Sequence, residues 1–214
     1  MAFMSFMMPA GAVQLEALLR EPRDAVRGAV VVCHPHPVYG GTMDNKIVYR
    51  AAKAATEAGF AALRFNFRGV GRSTGQFDRG VGEKEDVTAA IHWLEDKYRS
   101  LPLALIGYSF GAWVGLQVGC LSPNIKALIG LAPPLDLYKF DFLISNSRPS
   151  LYIVGTRDEF CSLENINRLE TRLPTTSSVS RIEDAEHFFA NRVEEIEVLI
   201  ANFFRTQELN RDEA

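Results

Sequence analysis

Short apolar runs rich in β-branched residues recur along this chain, and helical patterns lie between them. Such runs are typical of strands that are buried on both faces of a parallel sheet. We expect strands at residues 27–33, 60–67, 103–107, 125–131, 151–155 and 178–182. The helical patterns cover residues 45–58, 83–98, 110–120, 163–173 and about 187–204. Because strand and helix alternate, the predicted fold class is α/β, with a mostly parallel central sheet flanked by helices.

Chain length and apolar content favour one domain. The 214 residues, of which 47% are apolar and 23% charged, suffice for one packed core, so we expect a single α/β domain over residues 1–214. Residues 13–19 favour an additional antiparallel strand at the edge of the sheet. Residues 100–125 carry no charge and are long enough to cross a membrane. Their prolines and glycines instead predict a strand, a sharp turn and a buried helix, so we expect no membrane partner.

Charge and cysteine content exclude further classes of protein. The net charge is −3 and no basic run could neutralise a phosphate backbone, so we expect no nucleic-acid partner. Cys33, Cys120 and Cys161 are odd in number and irregularly spaced, which is typical of free thiols in a reducing compartment. No positive charge precedes Arg20, so the charged start of a secretory signal is missing. The predicted location is the cytoplasm.

The sequence Gly107-Tyr108-Ser109-Phe110-Gly111 lies where a predicted strand meets a predicted helix. A serine on such a tight turn projects out of the sheet, and glycines on both sides let the strand and helix backbones approach closely. The helix N-terminus also favours the negative charge that develops in acyl transfer. The motif therefore predicts Ser109 as a nucleophile, and the alternative is a glycine-rich packing turn.

A serine nucleophile needs a histidine base, and the base needs a carboxylate that orients it. In the chain order serine, acid, histidine, His187 is the candidate base, because it follows the last predicted strand. Its alternative role is a capping or core histidine. His92 lies within a predicted helix and is expected on the surface or in a packing groove.

The acid is expected after a strand between Ser109 and His187. Asp158 is the best candidate, because it follows the predicted strand at residues 151–155 by three residues. Glu159 is adjacent to it. Asp136 and Asp141 follow the preceding strand, a position that some sheets of this kind use. For all four carboxylates the alternative is a solvated loop residue.

The loop at residues 34–41 follows the first strong strand and is expected to supply one of two oxyanion donors. The first donor is the N–H of Phe110. Because proline has no N–H, Pro35 and Pro37 cannot donate, which leaves the His36 backbone as the expected donor, with Val38 behind it. The pair His34 and His36 could also be metal ligands, but no third histidine or cysteine lies at ligand spacing, so we expect no metal.

Glycines at residues 69, 71 and 75 resemble a dinucleotide fingerprint only weakly. The third glycine is displaced, and a loop follows where the helix should begin. We expect a structural turn in which Arg68 and Ser73 brace the strand ends, and we expect no cofactor.

Five segments together resemble the α/β-hydrolase superfamily, at residues 34–41, 66–73, 107–111, 155–158 and 186–189. The chain is similar to the small lidless branch that includes dienelactone hydrolases and short carboxylesterases, over residues 27–204 or so. The resemblance implies Ser109 as nucleophile, His187 as base, Asp158 as orienting acid, and Phe110 with His36 as the oxyanion hole. Dienelactone hydrolases carry a cysteine in place of this serine, which argues against a strictly dienelactone substrate.

The expected function is hydrolysis of a small carboxylic ester or thioester. A lyase or acyltransferase on the same scaffold and a non-catalytic ligand-binding module are the alternatives. Residues 132–149 leave no room for a helical lid. Aromatic side chains are therefore expected to wall an open cleft suited to short acyl groups, namely Tyr39, Tyr108, Tyr138, Phe160 and Phe188. The sequence does not determine the oligomeric state.

Overall fold

A computed structural model of the protein describes residues 2–207 and residue 209. Its described residues form one eight-stranded sheet with the order β1-β2-β4-β3-β5-β6-β7-β8. The strands are β1 (Ala2–Ala10), β2 (Val13–Glu21), β3 (Gly28–Cys33), β4 (Phe60–Phe65), β5 (Leu103–Tyr108), β6 (Ile125–Leu131), β7 (Ser150–Gly155) and β8 (Ser177–Ile182). Strands β3 to β8 are parallel to one another, whereas β1 and β2 are antiparallel to their neighbours. The α/β prediction is therefore confirmed.

Helices cover both faces of this sheet. They are α1 (Lys46–Glu57), α2 (Gly82–Lys97), α3 (Phe110–Leu121), α4 (Leu163–Glu170) and α5 (Val193–Thr206). Buried side chains of α2, α3 and α4 pack on one face, and those of α1 and α5 pack on the other. No helix among the described residues is both long and apolar enough to cross a bilayer.

The sequence of the central strand β3 is apolar without alternation because the strand is buried on both faces. All six of its residues are buried. Val31 and Cys33 pack into the core beneath α2 and α3, while Val30 and Val32 pack into the core beneath α1 and α5. A strand that is covered on both faces needs apolar side chains at every position.

The N-terminal end of the chain differs from the sequence-based expectation. The predicted strand at residues 13–19 exists as β2, but it is not at the edge, because β1 pairs with it along nine register positions and forms the outermost strand. The sequence of β1 is apolar at exposed and buried positions alike and contains Pro9, so it lacks the alternation that marks a half-buried strand. In addition to this pairing, Phe6 of β1 stacks on Trp93 of α2, with ring centroids 4.6 Å apart.

The last helix also begins later than expected. Helix α5 starts at Val193, not near residue 187, and the segment between β8 and α5 is a loop. Phe189 and Asn191 have positive φ angles of 48° and 60°, which a helix cannot contain. His187 therefore lies in a loop that leaves it free to face the end of the sheet. The connection at residues 132–149 holds one short 3-10 turn, Asp141–Leu143, and no lid.

The turn between β5 and α3 is unusually tight. Ser109 has φ 54° and ψ −118°, a strained conformation for a side-chain-bearing residue. A Cβ atom on Gly107 would lie 2.4 Å from the carbonyl oxygen of Gly111. A Cβ atom on Gly111 would lie 2.4 Å from the carbonyl oxygen of His34 and 2.6 Å from that of Cys33. Both glycines are therefore required because backbone approaches backbone at these points.

We expect Gly111→Val to lower the free energy of unfolding by about 3 kcal/mol or more, or to prevent folding, because the added side chain must displace backbone atoms that cannot repack. Urea denaturation measures this loss. Gly11→Asn is the control: although Gly11 has a positive φ of 61°, nothing lies within 4 Å of a Cβ atom added there. Asparagine tolerates that conformation, so the control should lose less than about 1 kcal/mol. Equal losses in both variants would contradict the close-packing explanation.

Candidate active site

Three side chains from separate loops meet at the carboxyl ends of the parallel strands. Ser109 lies on the turn after β5, Asp158 follows β7, and His187 follows β8. The Nε2 atom of His187 is 2.8 Å from the Oγ atom of Ser109. Its Nδ1 atom is 2.9 and 3.0 Å from the two carboxylate oxygens of Asp158. The structure thus brings together the three residues that the sequence predicted.

The environment of Asp158 and His187 fixes their orientation. The side chain of Asp158 is fully buried, and that of His187 is 4% exposed. The Oδ1 atom of Asp158 also accepts a hydrogen bond from the Phe160 N–H at 2.8 Å. Because Nδ1 of His187 faces a carboxylate, it carries the ring proton, and Nε2 is left as an acceptor for the Ser109 hydroxyl. This arrangement can withdraw a proton from the serine.

The other carboxylates that the sequence offered lie in different contacts. Asp136 accepts hydrogen bonds from the backbone and hydroxyl of Ser162 at 3.0 and 2.8 Å. Asp141 pairs with Arg172 at 2.9 Å. Glu159 lies 3.5 Å from the backbone nitrogen of His187, not from its ring. Asp158 is therefore the one of the four candidates that contacts the imidazole of His187.

The backbone N–H of Phe110 follows Ser109 directly, at the start of α3. The N–H of Ser109 donates to the carbonyl of Leu131 at 2.9 Å. The next N–H, that of Phe110, belongs to the first residue of α3 and has no acceptor within the helix. The ring of His36 lies 4.8 Å from the ring of Phe110, so the loop at residues 34–41 runs beside the start of α3.

His34 is held by backbone atoms at both of its ring nitrogens. His34 is fully buried; its Nε2 atom accepts a hydrogen bond from the Phe67 N–H at 3.0 Å, and its Nδ1 atom lies 2.6 Å from the carbonyl oxygen of Pro35. Burial lowers the pKa of His34 to about 4, although the contact with the Pro35 carbonyl acts in the opposite direction. Both ring nitrogens are occupied by backbone, so His34 has no free lone pair for a metal ion. His92 lies exposed on α2, away from these loops.

The predicted aromatic wall residues differ in exposure and in contacts. Tyr39 is 85% exposed and Phe188 is 61% exposed. Phe160 meets the His187 ring edge-on, with centroids 4.8 Å apart. Tyr108 differs, because it is only 1% exposed and its hydroxyl donates to the backbone carbonyl of His187 at 3.2 Å. Tyr108 thus lies beneath His187, out of the open cleft.

Two aromatic residues near Ser109 were missed by the sequence analysis. Trp113 stacks on Tyr138 with ring centroids 4.2 Å apart, and it also contacts Phe110. Phe77 lies 5.0 Å from the ring of His36. Trp113 falls within a helix that is apolar on most sides, so its sequence position gave no sign that it faces the site.

The glycine-rich segment after β4 forms a braced loop. Arg68 pairs with the buried carboxylate of Asp86 at 2.8 Å, and the Ser73 hydroxyl donates to the carbonyl of Asn66 at 2.7 Å. The next helix, α2, begins only at Gly82. A dinucleotide fingerprint needs a helix directly after its glycines, so the geometry fits the structural turn and not a cofactor loop.

The cysteines do not compete as nucleophiles. Cys33 and Cys161 are buried and free, and Cys120 is partly buried and free. Burial raises the pKa of Cys161 to about 12 and that of Cys120 to about 11, and it raises that of Cys33 further. These thiols therefore remain protonated at neutral pH.

Comparisons with known proteins agree with this fold. An uncharacterized protein of Rickettsia prowazekii is 38% identical over 189 residues, which cover 84% of this chain and 79% of that protein. The structure of an alpha-beta serine hydrolase homologue from Coxiella burnetii has a TM-score of 0.88 and 34% identity, and the match covers 93% of this chain and 96% of that one. A serine hydrolase without a lid from Xanthomonas campestris has a TM-score of 0.87 and 30% identity, with 95% and 94% covered.

Residues 27–205 match a family described as the alpha/beta hydrolase domain. The match covers most of the chain and includes all the loops described above. Together with the serine hydrolase neighbours, it supports hydrolase activity. The chain belongs to the alpha/beta hydrolase domain family.

Proposed function

We propose that this protein is a serine hydrolase that cleaves a small carboxylic ester or thioester through an acyl-enzyme. The observation that carries the proposal is the continuous hydrogen-bonded series from Ser109 through His187 to Asp158, with distances of 2.8 and 2.9 Å. A hydroxyl, an imidazole and a buried carboxylate in this order form the arrangement that activates a serine for attack on a carbonyl.

The proposed reaction has two steps. Ser109 Oγ attacks the carbonyl carbon while Nε2 of His187 takes its proton, and the leaving group then departs with that proton. A water molecule next attacks the acyl-serine, with His187 again as base, and the acid product is released. Asp158 holds His187 in the required tautomer, and the Phe110 and His36 N–H groups stabilise the oxyanion of each tetrahedral intermediate.

The substrate is proposed to be small because the connection at residues 132–149 holds one short 3-10 turn and no lid. Without a lid, Tyr39, Tyr138, Phe160 and Phe188 would form partial walls, and such a cleft buries little of a long acyl chain. We propose Tyr108 as a support for His187 instead of a substrate contact, because its hydroxyl holds the His187 carbonyl. A small-molecule ester partner, a single domain and a cytoplasmic location stay predictions.

Ser109→Ala should lower kcat/KM for an activated ester by about a thousandfold or more, because no other group can form the acyl-enzyme. The melting temperature should change little, since a hydroxyl is the only group removed. Steady-state hydrolysis of p-nitrophenyl acetate measures the effect. Ser145→Ala, at an exposed serine whose hydroxyl donates to the Phe142 carbonyl, is the control and should keep wild-type activity. A Ser109→Ala enzyme with wild-type turnover would rule out the serine mechanism.

Asp158→Asn should lower kcat by about a hundredfold or more, because an amide in place of the carboxylate no longer stabilises the Nδ1–H tautomer of His187 or its protonated form. The matched control is Asp136→Asn, which removes a carboxylate that binds Ser162 and not His187. We expect the control to stay within about threefold of the wild type. If the two variants exchanged these results, the assignment of the acid would be wrong.

The open cleft predicts a preference for short acyl groups. Across p-nitrophenyl esters from acetate to palmitate, kcat/KM should be highest at the short-chain end, because added methylenes gain free energy only where the cleft buries them. We also expect no rate increase when the ester concentration passes its solubility limit. A maximum at palmitate would show a deeper acyl site.

Product analysis by chromatography should yield free acid and alcohol, whereas an alkene product or a transferred acyl group would indicate a lyase or an acyltransferase.

A further inference from the structure

The peptide between Pro35 and His36 is held from its carbonyl side by a buried ring. The Nδ1 atom of His34 lies 2.6 Å from the Pro35 carbonyl oxygen. Nε2 of the same ring accepts the Phe67 N–H at 3.0 Å, so Nε2 carries no proton and Nδ1 carries one. Nδ1 is therefore the donor to the Pro35 carbonyl. The ring is fixed further by edge-on contact with Phe67, with centroids 4.7 Å apart.

Gly41 confines the same carbonyl from a second direction. A Cβ atom at this position would lie 2.1 Å from the carbonyl oxygen of Pro35 and 2.7 Å from that of His36. The N–H groups of Gly41 and Tyr39 donate to the His36 carbonyl at 3.0 and 3.1 Å. The peptides on both sides of His36 are thus fixed, the first by His34 and the second by the backbone of the loop.

A fixed carbonyl determines where the N–H of the same peptide points. The described residues contain no cis peptide bond, so the His36 N–H is directed opposite to the Pro35 carbonyl. Among the described residues no acceptor binds this N–H, and both neighbouring residues are prolines that have no N–H. The loop therefore offers one backbone donor at this point, in an orientation that the interior of the protein sets.

We propose that His34 is a positioning residue of the oxyanion hole, which holds the plane of the Pro35–His36 peptide so that the His36 N–H faces the developing oxyanion. The proposal rests on the proposed function of Ser109. His34 acts only through the peptide and does not touch the substrate. Burial keeps its pKa near 4, so at neutral pH the ring stays uncharged and retains the two opposite hydrogen-bonding roles.

Two substitutions separate the roles of the ring nitrogens. His34→Asn places an amide nitrogen near the position of Nδ1 and keeps the donor to Pro35, whereas His34→Gln places an amide oxygen near Nε2 and keeps only the acceptor for Phe67. We expect His34→Gln to lower kcat for p-nitrophenyl acetate by about 10- to 100-fold with KM within about threefold, because an oxyanion donor acts in the transition state. His34→Asn should lose less than about fivefold.

Melting temperatures and a distant control separate positioning from general damage. Each variant removes one buried hydrogen bond, so both melting temperatures should fall by similar amounts. Titration of Ser109 with a fluorophosphonate counts only the molecules whose serine is reactive. Dividing the rate by this number gives kcat even when part of the preparation is unfolded. His92→Gln, at an exposed histidine of α2, should leave both kcat and melting temperature unchanged. Equal kcat losses in the two His34 variants, or losses that follow melting temperature, would overturn the proposal.

Nitrogen-15 NMR of the wild-type protein tests the same point without a variant. The ring of His34 should be in the neutral Nδ1–H tautomer at pH 7, and an Nε2–H tautomer would overturn the proposal whatever the variants do. A wild-type protein that hydrolyses no ester and whose Ser109 does not react would contradict the proposed function itself. An active wild type with an unaffected His34→Gln variant would reject only the role of His34.

Discussion

The close approach of the β5–α3 turn to the end of β3 is the constraint on which the rest of the site depends. The backbone of Gly111 lies so near the carbonyls of Cys33 and His34 that no side chain fits between them. These two segments carry Ser109 and the loop at residues 34–41. Backbone packing, and not a flexible side chain, therefore sets the distance between Ser109 and the loop at residues 34–41.

The parallel sheet determines where Asp158 and His187 lie relative to Ser109. The carboxyl ends of β5, β7 and β8 lie at one edge of the sheet, so residues far apart in the chain meet there. Asp158 is buried at this edge and shares its oxygens between the His187 ring and the Phe160 N–H. A buried carboxylate is stable only when such partners satisfy it. The loop after β8 is irregular, and that irregularity lets His187 turn back toward Ser109.

The sequence predicted the fold class and Ser109 from local signals, and it predicted Asp158 and His187 from the chain order serine, acid, histidine and from their places after strands. Continuous apolar runs mark buried parallel strands, and a serine between two glycines marks a tight turn. The position of β1 was missed because its apolar residues do not alternate, and its place is set by pairing with β2 and by the contact of Phe6 with Trp93. The burial of Tyr108 was missed although it lies in β5, where it faces the same core as Ala104 and Ile106. The contacts of His34 and Gly41 with one peptide are set by tertiary packing, which no local pattern shows.

The central claim is that Ser109 is the group that becomes acylated. The most direct measurement is the mass of the intact protein after reaction with a fluorophosphonate, followed by proteolysis and mass spectrometry of the peptides. The account predicts one added phosphonyl group per chain, located on the peptide that contains Ser109, and no adduct on the Ser109→Ala protein. The absence of an adduct, or an adduct on another residue, would contradict it.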